Sequence, residues 1–209
     1  MENLVVMNHP LITHKMSILR SQTTSSKEFR ELIKEITMLM CFESMKDAEM
    51  QEVEVQTPLM SMKTKVLLDK HMIFIPILRA GLGMVDGIME MIPTARFGHI
   101  GLYRDHETLQ PVEYYCKLPA GIENKDIVLL DPMLATGGTV VDAVSLIKKR
   151  NPRSIKFMCI VASPQGVKAV SNAHPDVKIF CAAKDEALNE EGYILPGLGD
   201  AGDRIFGTK

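Results

Sequence analysis

The pattern that most constrains this chain is a series of short apolar segments separated by amphipathic ones. Four mainly apolar segments have the length of strands: 73–78, 126–131, 154–161 and 177–181. Between them lie segments with helical periodicity, at about 80–91, 139–149 and 165–171. Parallel strands that are buried on both faces have this composition, and the helices between them form the crossovers. The pattern predicts an α/β fold with a mainly parallel sheet flanked by helices.

Three further elements are predicted outside this core. Apolar residues recur at helical spacing over about 26–50, and Ser25 with Glu28 fits a capping box at the start of that helix. Residues 52–56 alternate between polar and apolar, which is typical of a strand with one exposed face. Two strand-like stretches within 96–117 flank a polar turn and predict a β-hairpin.

Composition narrows the class of protein without revealing its chemistry. The 209 residues show no repeat or linker-like break, so we expect a single domain over 1–209. A formal net charge of −2 argues against a broad basic surface for stable nucleic-acid binding. The four cysteines form no close pair and the six histidines no metal-binding motif. With no basic leader and no membrane-length apolar run, we expect a cytoplasmic protein that does not bind membranes.

The loop after segment 126–131 is the strongest candidate for a binding site. It has the sequence Asp131-Pro132-Met133-Leu134-Ala135-Thr136-Gly137-Gly138-Thr139 and opens a predicted helix. Free N–H groups at a helix N-terminus bind phosphate, and two glycines allow the close approach of a ligand. A carboxylate beside such an anion site suits the hydroxyls of a ribose. The loop therefore predicts a sugar-phosphate site, although an ordinary turn with Thr139 as helix cap has the same composition.

Two other loops have unusual composition. Arg79 follows segment 73–78 and precedes small residues that open a helix, so it suits a second anionic group or, alternatively, a surface ion pair. The glycines that follow miss the dinucleotide-binding fingerprint by one position. The closing stretch Gly192–Lys209 is glycine-rich and is expected to be irregular. Its accessible main chain could recognise a heterocycle whose edge alternates acceptor, donor and acceptor, as uracil does, or could form a flexible tail.

Taken together, these loops resemble one family over essentially the whole chain. The resemblance lies in 9–11, 15–20, 76–81, 98–105, 131–139 and 192–209. The most specific strings are Asp131-Pro132-Met133-Leu134-Ala135-Thr136-Gly137-Gly138 and Pro196-Gly197-Leu198-Gly199-Asp200-Ala201-Gly202-Asp203-Arg204. On these residues the chain resembles the uracil phosphoribosyltransferase family, whose members have the type I phosphoribosyltransferase fold.

The resemblance implies an activity and a set of site residues. It implies transfer of phosphoribose from phosphoribosyl pyrophosphate (PRPP) to uracil, giving UMP and pyrophosphate in pyrimidine salvage. It also implies Mg²⁺ bound mainly through the PRPP diphosphate with no protein metal site, a homodimer or homotetramer, and GTP as an activator in some members. The implied PRPP-binding residues are Arg79, Arg104, Asp200 and each residue of the loop Asp131, Pro132, Met133, Leu134, Ala135, Thr136, Gly137, Gly138 and Thr139. The implied uracil-binding residues are Tyr193, Ile194, Gly199, Asp200 and Ala201.

Within this set the residues expected to carry catalysis are Asp131, Arg79, Arg104 and Asp200. The resemblance further implies a hairpin flap at roughly 100–117 and a base-binding tail at roughly 184–209. The chain departs from the family pattern at His106 and at Ser163-Pro164-Gln165-Gly166, outside these three loops. The alternatives are a phosphoribosyltransferase for another base and a regulator of this fold that binds RNA of pyrimidine genes.

Overall fold

The computed structural model describes residues 3–104 and 111–208. Its strands are β1 (Leu4–Val6), β2 (Met50–Gln56), β3 (Ser61–Leu67), β4 (Met72–Leu78), β5 (Arg96–Phe97), β6 (His99–Arg104), β7 (Pro111–Lys117), β8 (Asp126–Leu130), β9 (Met133–Leu134), β10 (Ser154–Ala162), β11 (Lys178–Lys184), β12 (Ala187–Leu188) and β13 (Ile194–Leu195). Its α-helices are α1 (Pro10–Arg20), α2 (Ser26–Ser44), α3 (Val85–Met91), α4 (Gly138–Lys148), α5 (Pro164–Ala173) and α6 (Ala201–Phe206). A 3₁₀ segment, Ala80–Met84, leads from β4 into α3.

The main sheet has the strand order β1-β11-β10-β8-β4-β6-β7. Every neighbouring pair along this order is parallel except β6 and β7, which form an antiparallel hairpin. The short strands β5 and β9 pair with β4 and β10. The predicted α/β class, the mainly parallel sheet and the paired strands of the hairpin are therefore confirmed for the described residues, whereas the role of this hairpin as a flap stays a prediction.

Alternating residues of the central strands face two separate cores. In β4, Phe74 packs on the side of α1, α2, α3 and α6, together with Phe29 and Ile36. Ile73 and Ile75 face the opposite core, with side chains from α4 and α5. Because each central strand is buried on both faces, it needs the nearly continuous apolar composition seen in the sequence.

The N-terminal part contains elements that the sequence analysis missed or misplaced. Helix α1 and strands β1 and β3 were not predicted, and β3 pairs with β2 as an antiparallel hairpin separate from the main sheet. The predicted helix 26–50 begins as expected, with Ser25 accepting a hydrogen bond from the Glu28 N–H at 3.3 Å. Its predicted end at Met50 is wrong, because the helix stops at Ser44 and Met50 already pairs with Leu67 in the hairpin.

The described residues contain no helix that is both long enough and apolar enough to cross a membrane.

The buried face of α2 should dominate the stability of the N-terminal half. Ile36 is fully buried, whereas Glu31 lies on the exposed face of the same helix. We predict that Ile36→Ala lowers the free energy of unfolding by about 2–5 kcal/mol, because it removes buried methyl groups and leaves a cavity. The matched control Glu31→Ala should change it by less than about 0.5 kcal/mol in urea unfolding. Equal effects of the two substitutions would contradict the packing described for α2.

Candidate active site

The three candidate loops meet at the carboxyl end of the sheet. Strands β4 and β8 are paired neighbours, with Pro76 beside Leu130, so the loops that follow them lie side by side. A Cβ added at Gly81 would lie 2.5 Å from the Leu130 carbonyl oxygen, which shows how tightly the two loop backbones pack. Ligands of open α/β sheets bind at this edge.

The tail packs against the same two loops. A Cβ at Gly83 would lie 2.7 Å from the Ile205 side chain of α6, and one at Gly202 would lie 3.9 Å from Ala80. At the other end of the tail, a Cβ at Gly192 would lie 3.9 Å from the Thr136 side chain. The structure thus brings together the Arg79 loop, the 131–139 loop and the tail.

The 131–139 loop ends in an open helix N-terminus. Gly137 is the residue before α4 and has a left-handed backbone with φ 87°, so the expected alternative of Thr139 as a capping residue is wrong. No side chain caps this helix, so the first N–H groups of α4 keep their capacity to bind an anion. A Cβ at Gly137 would lie 2.9 Å from Ala169 and from the Gly166 carbonyl oxygen, so a larger residue does not fit there.

The segment that departs from the family pattern supports this loop from behind. The Ser163 hydroxyl donates to the Ala135 carbonyl oxygen at 2.6 Å and accepts from the Gly166 N–H at 2.9 Å, where it caps α5. A Cβ at Gly166 would lie 2.4 Å from the Ala135 carbonyl oxygen. Gln165 points away from these contacts toward solvent. The departure therefore falls outside the loop in sequence but contacts it in space.

Asp131 lies where β8 ends and carries the strongest electrostatic perturbation in the site. Its carboxylate accepts a hydrogen bond from the Met133 N–H at 3.2 Å. Burial is the main cause that raises the pKa of Asp131 to about 7, and the negative charge of Asp200 adds to it. Asp200 itself is exposed and caps α6 by accepting from the Asp203 N–H at 2.9 Å. The carboxylates of Asp131 and Asp200, which belong to separate loops, therefore interact electrostatically within one site.

The two predicted arginines differ in what the structure describes. Arg79 is exposed directly after β4 and makes no ion pair with any described residue, so its predicted alternative role in a surface ion pair is not supported. It follows a cis peptide bond with Leu78. Arg104 ends β6, and its side chain lies outside the described residues, as does His106.

Within 192–208 the tail forms a short strand and a helix rather than being irregular throughout, which corrects the expectation for this part of Gly192–Lys209. Ile194 is buried in β13, which pairs with β12, and α6 follows at Ala201–Phe206. Between them the chain turns through a cis Leu195–Pro196 bond and through Gly197 and Gly199, whose φ values are 66° and 77°. Among the described residues, no hydrogen bond uses the Gly199 N–H or carbonyl. These groups are free to bind a ligand.

A polar cavity of about 370 Å³ lies beside the tail. Tyr193, Gly199 and Asp200, which are three of the residues selected from sequence, line it. Its other wall is formed by side chains that the sequence analysis did not select: Gln22, Thr24, Ser26, Asp203 and Arg204. The connection between α1 and α2 therefore borders the tail.

Sequence reasoning also missed a partly buried ion pair beneath the tail. Arg20 donates to both oxygens of Asp185, at 2.6 and 2.8 Å, and to the Gly197 carbonyl at 2.6 Å. Asp185 follows β11 just as Asp131 follows β8, and this shared position after an apolar strand could have identified it. A second arginine, Arg204, donates to the carbonyls of Leu198 and Ser21 and lies 4.3 Å from the centre of the Phe29 ring. Burial lowers the pKa of Arg204.

The chemistry of the site suits a divalent cation only in part. Asp131 and Asp200 supply two carboxylates of the kind that Mg²⁺ prefers, and a cation would favour the charged form of Asp131 against the burial and the Asp200 charge that raise its pKa. In the part of the chain that the structure describes, no group of three or more His, Cys, Asp or Glu side chains could hold a metal. Any further ligands of a cation at this site would have to come from outside these described side chains.

Comparison with known proteins agrees with this geometry. The uracil phosphoribosyltransferase family model matches residues 6–208. The chain is 58% identical to the uracil phosphoribosyltransferase of Geobacillus sp. (strain WCH70), with both chains covered over their whole length. It is similar to the solved structure of the AQ2163 protein from Aquifex aeolicus, with a TM-score of 0.92, 40% identity and 97% of each chain covered.

A more distant structure supports the fold alone. A hypoxanthine phosphoribosyltransferase from Staphylococcus aureus superposes with a TM-score of 0.53 at 16% identity, over 87% of this chain and 84% of that one. The family match over nearly the whole chain, joined to the three loops that converge at the sheet edge, leads to one conclusion. The chain belongs to the uracil phosphoribosyltransferase family.

Proposed function

We propose that this protein transfers the phosphoribosyl group of PRPP to N1 of uracil, producing UMP and pyrophosphate. The observation that supports this most directly is the placement of Asp131. Its loop ends in an uncapped helix N-terminus, suited to a phosphate, and its carboxylate interacts electrostatically with Asp200 of the tail, where free peptide groups are suited to a base. The deciding experiment incubates labelled uracil with the protein and requires that UMP form only when PRPP and Mg²⁺ are both present.

The 131–139 loop is proposed to bind the ribose 5-phosphate part of PRPP. The open N–H groups at the start of α4 bind the 5′-phosphate, assisted by the hydroxyls of Thr136 and Thr139. Asp131, in its charged form, accepts hydrogen bonds from the ribose hydroxyls. Support from Ser163 and the tight contact at Gly166 keep this loop rigid, which preorganises the site before the substrate binds.

The pyrophosphate is proposed to bind at Arg79 and Arg104. The Arg79 side chain is exposed and is not engaged by any described carboxylate, so it is available to a polyanion. When bound, Mg²⁺ supplies positive charge that stabilises the departing pyrophosphate, and Asp131 and Asp200 are the residues that would contact it on the protein side. Arginine is suited to this role because its planar donors match phosphate oxygens.

The tail is proposed to recognise uracil through its main chain. Ile194, Gly199 and Ala201 provide peptide groups that can match the acceptor–donor–acceptor edge of the base, and Tyr193 borders the cavity beside them. Recognition by peptide groups needs no aromatic platform, which fits a chain with no tryptophan. Cytosine presents the opposite hydrogen-bonding group at its 4-position, so the same peptide groups would disfavour it.

Catalysis follows from charge and position. Cleavage of the anomeric C–O bond develops positive charge on the ribose, as in other glycosyl transfers, and negative charge on the pyrophosphate. Arg79 and Arg104 stabilise the leaving group, and the negative charge of Asp131 lies on the side of the sugar. The tail holds N1 of uracil in line behind the anomeric carbon, so that the bond from N1 to this carbon forms as the C–O bond breaks, and the proton on N1 is released with the pyrophosphate. The hairpin β6–β7 is proposed to act as a flap that excludes water during the reaction.

We also propose that the protein acts in the cytoplasm as a homodimer or homotetramer. The β2–β3 hairpin exposes large apolar side chains, among them Leu59 and Met60, which are 93% and 66% exposed. Apolar surface of this kind is typical of an interface between subunits.

Activation by GTP remains a prediction from the family resemblance. The RNA-binding alternative has no supporting observation. The other alternative, a phosphoribosyltransferase for a different base, is tested by competition between uracil, cytosine and guanine in one assay, and it is excluded when uracil outcompetes the other two.

Substitution of Asp131 tests the ribose-binding role. We predict that Asp131→Asn lowers kcat/KM at least tenfold, or about 1.4 kcal/mol, because the neutral amide accepts the ribose hydroxyls less strongly. The measurement is steady-state kinetics with both substrates varied. Unchanged kinetics in a variant that unfolds at the wild-type temperature would contradict this role.

The raised pKa of Asp131 predicts a pH dependence. In the free enzyme the carboxyl is protonated below its pKa of about 7, so kcat/KM for PRPP should fall as the pH is lowered through that value. Asp200→Asn removes a negative charge that raises this pKa, so the acid limb of the profile should shift to lower pH. An acid limb that remains in Asp131→Asn would assign the titration to another group.

The proposed roles of Arg79 and Arg104 are tested by comparing how each substitution changes the KM for PRPP and the KM for uracil. We predict that Arg79→Ala and Arg104→Ala raise the KM for PRPP by about tenfold, and more than the KM for uracil, because both remove charge opposite the pyrophosphate. Arg96→Ala is the matched control, since Arg96 donates only to the Ala120 carbonyl in the described residues. Equal effects on the two substrates would argue against direct contact with pyrophosphate.

A further inference from the structure

The tail that is proposed to bind uracil is anchored by the side chains of Arg20 and Asp185, which do not line the cavity beside it, and by Arg204, which does. Gly197 lies between Ile194 and Gly199 in this tail, and both of its peptide groups are hydrogen-bonded to one ion pair. The Arg20 guanidinium donates to its carbonyl at 2.6 Å, and the Gly197 N–H donates to the Asp185 carboxylate at 2.8 Å. These bonds fix the direction in which the chain enters the segment 199–201.

The ion pair is bidentate, and its carboxylate is buried whereas its guanidinium is partly exposed. Arg20 and Asp185 form two parallel hydrogen bonds, and only 5% of the Asp185 side chain is exposed. Paired guanidinium and carboxylate groups of this geometry restrict both partners. If either one is removed, the other is left as an uncompensated charge beneath the tail.

The neighbouring carbonyl is held in the same way by the second arginine. Arg204 donates to the Leu198 carbonyl at 2.8 Å and, with its other terminal nitrogen, to the Ser21 carbonyl at 2.6 Å. Ser21 directly follows Arg20, so both arginines anchor the tail to the end of α1. Two consecutive carbonyls, those of Gly197 and Leu198, are therefore fixed immediately before the free peptide groups of Gly199.

The same network connects the tail to the 131–139 loop, which is proposed to bind the ribose 5-phosphate. The Asp185 N–H donates to the Ala162 carbonyl at 2.8 Å, and Ala162 pairs with Leu134 in the contact between β10 and β9. Leu134 belongs to the 131–139 loop. The backbone of Asp185 is therefore linked through Ala162 to the 131–139 loop, and its side chain contacts the tail at Gly197.

From these contacts we propose that Arg20 and Asp185, assisted by Arg204, are positioning residues for the base. They orient the peptide groups of segment 199–201 toward uracil, Arg20 and Asp185 from outside the cavity and Arg204 from its wall. The inference depends on the proposed function, since it assigns these residues to one of the two substrates. Loss of the network should weaken the binding of uracil while PRPP binding is retained.

The test measures both KM values for three variants that keep the size or charge of the original side chain. These variants are Asp185→Asn, Arg20→Lys and Arg204→Lys. Each should raise the KM for uracil by about tenfold and change the KM for PRPP by less than about twofold. Arg20→Ala should raise the KM for uracil further than Arg20→Lys, because lysine retains the charge but not the paired geometry.

A matched control separates positioning from general stability. Arg153 also joins two carboxylates, Asp126 and Glu49, but it does so at the amino-terminal edge of the sheet, far along the strands from the tail. Arg153→Ala should leave both KM values within about twofold of wild type even if it lowers the unfolding temperature. A rise in uracil KM in this control equal to that of the three variants would overturn the inference.

The outcomes distinguish this inference from the proposed function. Failure of the wild-type protein to form UMP from uracil refutes the proposed function. Normal wild-type activity, combined with variants whose two KM values rise together or whose kcat alone falls, refutes only the positioning role. If Asp185→Asn does not fold, the KM values of Arg20→Lys and Arg204→Lys decide the question. Both variants keep a positive charge in place of the arginine, so the Asp185 carboxylate still has a cationic partner.

Discussion

The pairing of β4 with β8 is the contact on which the site depends. These strands lie at the centre of the sheet and are buried on both faces, so their register is set by two cores at once. Their ends place Arg79 and Asp131 on adjacent loops, and the absence of a side chain at Gly81 lets the two backbones touch. A shift of one residue in this pairing would turn Phe74 toward the wrong core and would separate the anion-binding and sugar-binding groups.

Burial at this edge has an electrostatic consequence. Asp131 is in an environment that favours its neutral form, and Asp200 across the site favours it further. The unliganded site therefore holds unfavourable charge, which a cationic partner or a developing positive charge on the ribose would relieve. We infer that the same burial that perturbs Asp131 also makes its charge effective in the transition state, because water screens it poorly.

The sequence was sufficient to predict the core and the loops but not the contacts between distant segments. Strands β4, β8 and β10 could be predicted because a strand that is buried on both faces needs nearly continuous apolar residues, and such a segment is easily recognised in the sequence. Strand β3 was missed because its residues are mostly exposed and alternate only weakly, and the order of the tail was missed because α6 is short. The Arg20–Asp185 pair joins residues 165 positions apart, so no local pattern reveals it. The loop 131–139 was found because its chemistry is local.

The central claim is that one pocket at the sheet edge holds both halves of the product. A crystal structure of the protein with UMP tests it directly. The account predicts the phosphate at the N-terminus of α4, the ribose hydroxyls on Asp131, and the uracil edge on the peptide groups of Gly199 and Ala201. A complex in which the phosphate binds elsewhere, or in which the base makes no main-chain hydrogen bond to segment 199–201, would contradict it.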